Sequence, residues 1–308
     1  MHAITRRSFL SIGAAGGLAG LTPCAVAQDK APAVDRSKPT KFQVACMTLP
    51  YAAFPLERAL SGLKTAGYQY IAWGTSHAEA DGKRAAVLAG DASLDKAKDL
   101  GKKCRDMGLE PLLLFGPSPE GVEAMKTRIK QAAAAGVGQI LTMGSTKGND
   151  AKLWIKNFQE LGPIARDHGV RIVVKQHGGN TGTGVACAEI VRAVNDDGVK
   201  VSYDAGNVMD YHKIDPLPDM KQCADVVHSY CIKDHRVFPK DEDCGPGLGE
   251  IDHYKLLAPV AFTGRTIPLC CENIFAPALP RPKAPEGVDA LARRAREFLE
   301  LVVAGLQV

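Results

Sequence analysis

Residues 170–207 read VRIVVKQHGGNTGTGVACAEIVRAVNDDGVKVSYDAGN and contain one complete unit of strand, helix and strand. The runs 170–175 and 199–204 predict strands, because both are short, rich in valine and bounded by glycine or polar residues. Between them, apolar residues recur with helical spacing over residues 184–194, which predicts an amphipathic helix. A crossover helix between two strands is typical of a parallel sheet.

The same alternation extends in both directions from this unit. Eight strands are predicted, over residues 42–48, 69–73, 110–115, 138–143, 170–175, 199–204, 226–232 and 267–272. Helices are predicted over residues 56–66, 94–107, 120–135, 151–168, 184–194, 252–258 and 288–303. Several helices end at a glycine that suits a left-handed cap: Gly67, Gly108, Gly136, Gly169 and Gly198. Only the crossover over residues 215–224 is expected to be a poor helix, because it contains Pro216 and Pro218.

Eight such units over residues 41–308 predict an α/β protein with a single (β/α)8 TIM barrel. A doubly wound open sheet is the alternative, but no G-x-G-x-x-G follows the first strand, where the sequence is VACMTLP over residues 44–50. In a barrel, functional side chains are expected at the carboxyl ends of the strands.

The amino-terminal segment resembles an export signal. Arg6 and Arg7 precede a weakly hydrophobic run that ends in Ala25-Val26-Ala27, which predicts a twin-arginine signal over residues 1–27 and a periplasmic or exported protein. A membrane anchor is the alternative, although the run is short and rich in glycine for a spanning helix. Residues 28–40 are predicted to be a flexible lead-in. After cleavage we expect no stable membrane insertion.

Charge and cysteine content exclude some classes of function. The net charge of +4 falls to about +2 without the signal, too balanced for a protein that binds nucleic acid through basic excess. Nine cysteines are present, and Cys24 leaves with the signal. The others form no C-x-x-C pair, and several lie in apolar runs, so we predict mostly core thiols rather than a structural zinc site.

Ionisable residues follow four neighbouring strands. The fifth predicted strand ends in Lys175 and leads through His177 into a glycine-rich loop that contains Asn180. The sixth ends in Asp204, where a carboxylate at the end of a buried strand needs a partner; helix capping is its alternative role. The seventh and eighth end in two further clusters, one with Cys231, Lys233, Asp234 and His235, and one with Cys270 and Glu272.

These residues resemble the xylose isomerase-like TIM-barrel superfamily of sugar phosphate isomerases and epimerases, from about Lys41 to the C-terminus. The matching elements are Asp204-Ala-Gly-Asn207, Lys233-Asp234, Gly247-Leu-Gly-Glu-Ile-Asp252 and Glu272. The resemblance implies a divalent metal held by glutamate, aspartate, histidine and glutamate from strands five to eight. Asp204 and Glu272 match, whereas the first position holds Lys175 and the third holds Cys231.

Two arrangements of the centre remain open from the sequence. One divalent metal (manganese, cobalt or zinc) could be held by Asp204, Glu272 and Cys231, with nitrogen from His177 or, less well, His228. Alternatively the Lys175 ammonium replaces the metal charge and no metal is bound.

The leading functional hypothesis is an exported sugar or keto-sugar isomerase, epimerase or related lyase that abstracts a proton next to a carbonyl. Glu272, Lys175, His177 and Lys233 are the predicted catalytic residues. The residues predicted to bind substrate are Asn180, Asn207, Asp234, His235 and Trp73. The alternative is a degenerate barrel that binds carbohydrate in the periplasm. A metal-dependent endonuclease is disfavoured by the low net charge and by too few histidine and acidic ligands.

Overall fold

A computed structural model describes residues 35–144 and 150–308, and strands and helices are numbered here in chain order within those residues. Eight parallel strands close into one barrel in the order β1, β12, β9, β8, β7, β6, β5 and β2. Their bounds are β1 Lys41–Met47, β2 Tyr70–Trp73, β5 Glu110–Phe115, β6 Gln139–Thr142, β7 Arg171–Lys175, β8 Val199–Tyr203, β9 Val227–Ile232 and β12 Thr266–Cys271. The predicted (β/α)8 barrel is confirmed, and the doubly wound sheet is excluded because the sheet is closed.

Two antiparallel hairpins lie outside the barrel, and the sequence reading missed both. One pairs β3 Ser76–Ala78 with β4 Arg84–Ala86, and the other pairs β10 Asp234–Arg236 with β11 Glu242–Cys244. The helices of the described residues are α1 Leu56–Thr65, α2 Leu94–Asp106, α3 Val122–Ala135, α4 Ala151–Asp167, α5 Gly184–Val194, α6 Ala205–His212, α7 Pro216–Cys223, α8 His253–Leu257 and α9 Pro285–Leu306. None of them is long and apolar enough to cross a membrane.

Strand alternation decides which side chains enter the barrel. A small interior cluster includes Val173, Cys231 and Cys270, whereas the residues that follow them pack outward against the helices. The residues two positions later lie at the end of β7 and directly after β9 and β12, and they therefore face the carboxyl mouth of the barrel. These residues are Lys175, Lys233 and Glu272.

Two local predictions were wrong. Segment 216–223 is the helix α7, because Pro216 occupies the first helical turn, where no amide donor is needed, and the Asp215 side chain accepts from the amide of Leu217 at 2.9 Å. Gly198 caps no helix, since α5 ends at Val194 and its C-cap residue is Asn195, with φ of 54°. A Cβ atom at Gly198 would lie 2.0 Å from the Gly162 carbonyl oxygen, so close packing requires this glycine.

The cysteine prediction is confirmed for the described part of the chain. All eight cysteines there are buried and free of disulfide bonds. The predicted signal, with Cys24 and most of the lead-in, lies outside the described residues.

Candidate functional site

Four charged side chains meet at the carboxyl mouth of the barrel. The Lys175 Nζ atom lies 3.0 Å from Asp204 Oδ2 and 2.8 and 3.0 Å from the two carboxylate oxygens of Glu272. Lys233 Nζ lies 3.4 Å from Glu272 Oε2 and 3.8 Å from Asp204 Oδ2. Two ammonium groups therefore share two carboxylates, and the charges balance within the cluster.

Burial makes these charges interact strongly. The side chains of Asp204, Lys175, Lys233 and Glu272 are 0%, 2%, 7% and 17% exposed. Burial acts to lower the pKa of Lys175, but Cys231, Asp204 and Glu272 outweigh it and raise that pKa well above its ordinary value. Burial acts to raise the pKa of Glu272, and the ammonium groups of Lys175 and Lys233 lower it to about 2. Burial also acts to lower the pKa of Lys233, but Asp204 and Glu272 outweigh it and raise that pKa. Both lysines are thus cations and Glu272 is an anion at neutral pH.

The low pKa of Glu272 predicts a loss of stability in acid. Because that pKa is lower in the folded than in the unfolded chain, the carboxylate stabilises the fold above its ordinary pKa of 4.5, and this contribution disappears as the pH falls toward about 2. The contribution is about 3 kcal/mol. Urea unfolding should therefore show that Glu272→Gln is less stable than wild type at neutral pH and that the difference shrinks below about pH 4. A difference that stays constant down to about pH 2 would contradict this assignment.

A hydrogen-bond network holds Asp204 in place. Its backbone amide donates to Gln176 Oε1 at 2.6 Å, and its Oδ1 atom accepts from the amide of Asn207 at 2.9 Å, which caps α6. The Asn207 side chain donates to the Gln176 carbonyl oxygen at 2.6 Å and accepts from Lys233. Asp204 therefore fulfils both roles considered from the sequence, because one oxygen caps a helix and the other faces Lys175.

The hairpin of β10 and β11 adds a third carboxylate to the site. Asp243 Oδ2 lies 2.9 Å from Lys233 Nζ, and Asp243 Oδ1 lies 2.9 Å from His235 Nδ1. His235 is buried, and its Nε2 atom lies 2.9 Å from Asp241 Oδ1. His235, a residue of β10, is thus held between two aspartates.

Asp234 is fully buried and binds backbone rather than the cavity. Its Oδ1 atom accepts from the amides of His235 at 2.8 Å and Ile251 at 3.0 Å, and its Oδ2 atom accepts from Gly247 at 2.9 Å. This carboxylate ties the end of β9 to the turn that precedes α8. Asp234 therefore fixes the backbone beside Lys233.

Substitution of Asp234 by asparagine should destabilise this region. The side-chain NH2 group of asparagine would face at least one backbone N–H group, and because both are donors, that N–H would lose its acceptor. A buried unpaired donor costs about 1–3 kcal/mol of stability. We expect a lower midpoint of urea unfolding and a lower turnover, since the support of Lys233 is weakened. The matched control is Asp252→Asn, at the exposed N-cap of α8, where asparagine caps as well as aspartate. Equal stability of the two variants would contradict the role given to Asp234.

A cavity of about 450 Å³ opens above the charged cluster. Its wall combines apolar side chains, among them Leu49, Phe115, Met143 and Phe275, with charged and polar groups. His177 and Tyr211 form one side, with ring centroids 5.4 Å apart. The size and the mixture of apolar and polar walls are typical of a site for a small polar molecule.

The structure brings some of the predicted site residues to this cavity and leaves others away from it. Those that line it are Lys175, His177, Asn207, Lys233 and Glu272, and Asp204 and Cys231 lie beneath it. Asp234 and His235 are buried residues of β10, and Asn180 lies in a short 3-10 helix after β7. Trp73 lines a different cavity, with Val87 and Leu114. His228 lies near the opposite end of β9 from the mouth.

Several residues of the site were missed from the sequence. Gln176 stands between two predicted residues, and Asp210 and Tyr211 lie one helical turn after Asn207 on α6, a spacing that could have indicated them. Asp243 lies on the short strand β11 and Arg281 lies in the loop after β12, and neither segment carries a periodic signal. Both line the cavity, and the Arg281 guanidinium lies 4.5 Å from the centre of the Phe275 ring.

The donor set does not fit a divalent metal as it stands. Ligand atoms of Asp204, Cys231 and Glu272 lie within 4.8 Å of one another, which is close enough to hold one ion. The space among them contains the Lys175 ammonium, 2.8–3.0 Å from the carboxylate oxygens and 3.7 Å from Cys231 Sγ. An ion about 2.0–2.2 Å from the same oxygens would lie against this cation. Burial also raises the pKa of the Cys231 thiol well above its ordinary value, so a metal-binding thiolate is disfavoured.

A family model for the xylose isomerase-like TIM barrel matches residues 60–296, which is more than half of the chain. The chain belongs to the xylose isomerase-like TIM barrel family. A search of the curated proteins finds no match.

Several solved structures share the fold at low sequence identity. A family member from Mycobacterium smegmatis in complex with magnesium is 14% identical, with a TM-score of 0.65 over 88% of this chain and 98% of that one. L-ribulose 3-epimerase is 15% identical, with a TM-score of 0.64 over 86% and 95% of the two chains. D-allulose 3-epimerase from Methylomonas sp., in complex with D-allulose, is 17% identical, with a TM-score of 0.62 over 85% and 98%.

Proposed function

We propose that this protein is a carbohydrate isomerase or epimerase, or a related lyase, that abstracts a proton from a carbon next to a carbonyl. The observation that carries the proposal is the pairing of two buried ammonium groups with Glu272 on the floor of a cavity of small-molecule size. A carbonyl that loses a neighbouring proton becomes an enediolate, and fixed cations stabilise that developing negative charge. The membership of the barrel family and the sugar epimerases among its structural neighbours support this reaction class.

The same charges set the roles of the residues. The positive charges of Lys175 and Lys233 stabilise the substrate oxygen that becomes negative, which lowers the pKa of the adjacent C–H group. Glu272 accepts the proton as an ionised base. Its own low pKa makes it a weak base, so the reaction depends on how strongly the two ammonium groups stabilise the enediolate.

A second acid or base is needed to deliver a proton to the opposite face of the enediolate. His177 is placed for this role, because it is exposed, lines the cavity and is oriented by contact with the Tyr211 ring. Asn207 and Asp243 line the same cavity and provide hydrogen-bonding groups for sugar hydroxyls. Glu272 takes a proton from one carbon, His177 gives a different proton to the intermediate, and exchange with solvent then restores both side chains, which yields an isomer or epimer. If His177 instead gives its proton to a β-hydroxyl group, that group leaves as water and the lyase product forms.

A carbohydrate-binding barrel without turnover is the second candidate. One observation favours it. Glu272 is held in a tight ion pair with Lys175, and its pKa is lowered to about 2. The two candidates are separated by incubating the protein with aldoses, ketoses and 3-keto-sugars, beginning with D-allulose and L-ribulose. New sugars detected by NMR would support the enzyme. Calorimetric binding with no new product for any sugar would support the binding protein, and neither binding nor conversion would contradict both.

We also propose that the chain is exported to the periplasm through the twin-arginine pathway and cleaved after Ala27. Arg6, Arg7 and the Ala25-Val26-Ala27 sequence support this proposal. The intact mass of the periplasmic protein should correspond to a chain that begins at Gln28. An Arg6→Lys/Arg7→Lys variant that is exported as efficiently as wild type would contradict the twin-arginine route.

A further inference from the structure

The centre of the site contains a cation that belongs to the chain. Lys175 extends from the end of β7 and places its ammonium among Asp204, Cys231 and Glu272, which come from or directly follow β8, β9 and β12. The same three side chains form a group close enough to hold a metal ion. The ammonium therefore lies where the geometry of the donor atoms would place an ion.

We propose that Lys175 is a built-in replacement for a divalent ion, that it excludes such ions from this centre, and that its replacement by a carboxylate converts the centre into a divalent-cation site. The inference concerns cation binding alone. It can therefore be tested whether or not the protein converts a sugar, and its failure is distinguishable from failure of the proposed function.

Charge balance explains the exclusion. Asp204 and Glu272 supply two negative charges to the cluster, and the two ammonium groups already neutralise them. Asp243 adds a third negative charge, but it contacts Lys233 and His235 on the outer side. A divalent ion entering this cluster would meet two cations within a few ångströms in a buried setting, where like charges repel strongly.

Side-chain length explains how the site can be converted. Lysine places its nitrogen five atoms from Cα, whereas glutamate places its carboxylate oxygens four atoms from Cα. A glutamate at position 175 would therefore face the other acids across a gap and change the local charge by two units. A histidine at position 231 would supply a neutral nitrogen in place of a buried thiol with a raised pKa. Lys175→Glu/Cys231→His then presents three carboxylates and one imidazole to a single ion.

The test compares metal content and metal-dependent melting in four forms of the full mature chain. These are wild type, Lys175→Glu, Lys175→Glu/Cys231→His and the control Lys175→Met, which removes the ammonium without adding a ligand. Each form is stripped with a chelator, incubated separately with Mn²⁺, Co²⁺ or Zn²⁺, desalted and analysed by inductively coupled plasma mass spectrometry. The melting temperature is measured with and without each ion.

We expect less than about 0.1 equivalent of metal in wild type and about one equivalent in the double variant, with weaker binding by Lys175→Glu. The double variant should also melt several degrees higher with the ion that it binds, because an ion that binds only the folded state stabilises it. Lys175→Met should gain less than either glutamate variant. One equivalent in wild type that disappears in Asp204→Ala would overturn the exclusion. A double variant that binds none of the three ions, whether or not it folds, would contradict the claim that these substitutions convert the centre into a divalent-cation site.

Discussion

Replacing Lys175 by methionine should reduce turnover at least ~100-fold and lower the free energy of unfolding by about 3–5 kcal/mol. The loss of stability follows from burial, because Asp204 and Glu272 would face each other without the ammonium that lies 2.8–3.0 Å from both. The loss of activity follows from the weaker stabilisation of negative charge on the substrate oxygen. Urea unfolding and the initial rate on the identified sugar measure the two effects separately.

The matched control is Lys130→Met, at an exposed position on α3. It makes the same chemical change away from the cavity and should alter stability by less than about 0.5 kcal/mol, with wild-type turnover. A Lys175→Met protein as stable as this control would mean that the buried ion cluster contributes nothing to the fold. Wild-type turnover in Lys175→Met would exclude Lys175 from the reaction.

Replacing Glu272 by glutamine should reduce turnover by about 100- to 10,000-fold while the barrel stays folded. The amide keeps the size of the side chain but cannot accept the proton from carbon. Because Lys175 keeps Asp204 as its partner, binding of the sugar should change less than turnover does. Steady-state kinetics should therefore show a large fall in kcat and a small change in KM.

The comparison protein for this second prediction is Glu297→Gln, an exposed position on α9. It should have wild-type kinetics. If Glu272→Gln converts the identified sugar at the wild-type rate, Glu272 is not the base, and the candidates become His177, Asp210 and Asp243, which also line the cavity.

The barrel and the charged floor of the cavity were predictable because both follow from strand periodicity. Cys231 and Cys270 lie inside the barrel, so Lys233 and Glu272, two residues later, must point to the mouth. Lys175 follows the same rule on β7. The sequence thus located the acids and lysines, although it left open whether a metal or an ammonium held them together.

The outer parts of the site were not predictable by the same reasoning. Asp243 lies on a three-residue strand of mostly polar composition, which pairs with β10 outside the barrel and has no alternation of apolar and polar residues to indicate it. Asp234 looked like a ligand-binding residue because it follows a strand end, but it turns toward three backbone amides instead. Helix α7 was not predicted because Pro216 was assigned the free-energy cost that proline has in a helix interior. Pro216 instead lies in the first turn, where proline is tolerated.

The central claim is that the Lys175–Glu272 centre removes a proton next to a carbonyl without a divalent metal. Its most direct test is solvent deuterium exchange, in which chelator-treated protein in D₂O is incubated with a ketose or keto-sugar that it binds and the C–H signals are followed by NMR. We predict that wild type incorporates deuterium next to the carbonyl in the presence of chelator and that Glu272→Gln does not. A bound sugar that retains all its C–H signals, or that exchanges only after Mn²⁺, Co²⁺ or Zn²⁺ is added back, would contradict the account.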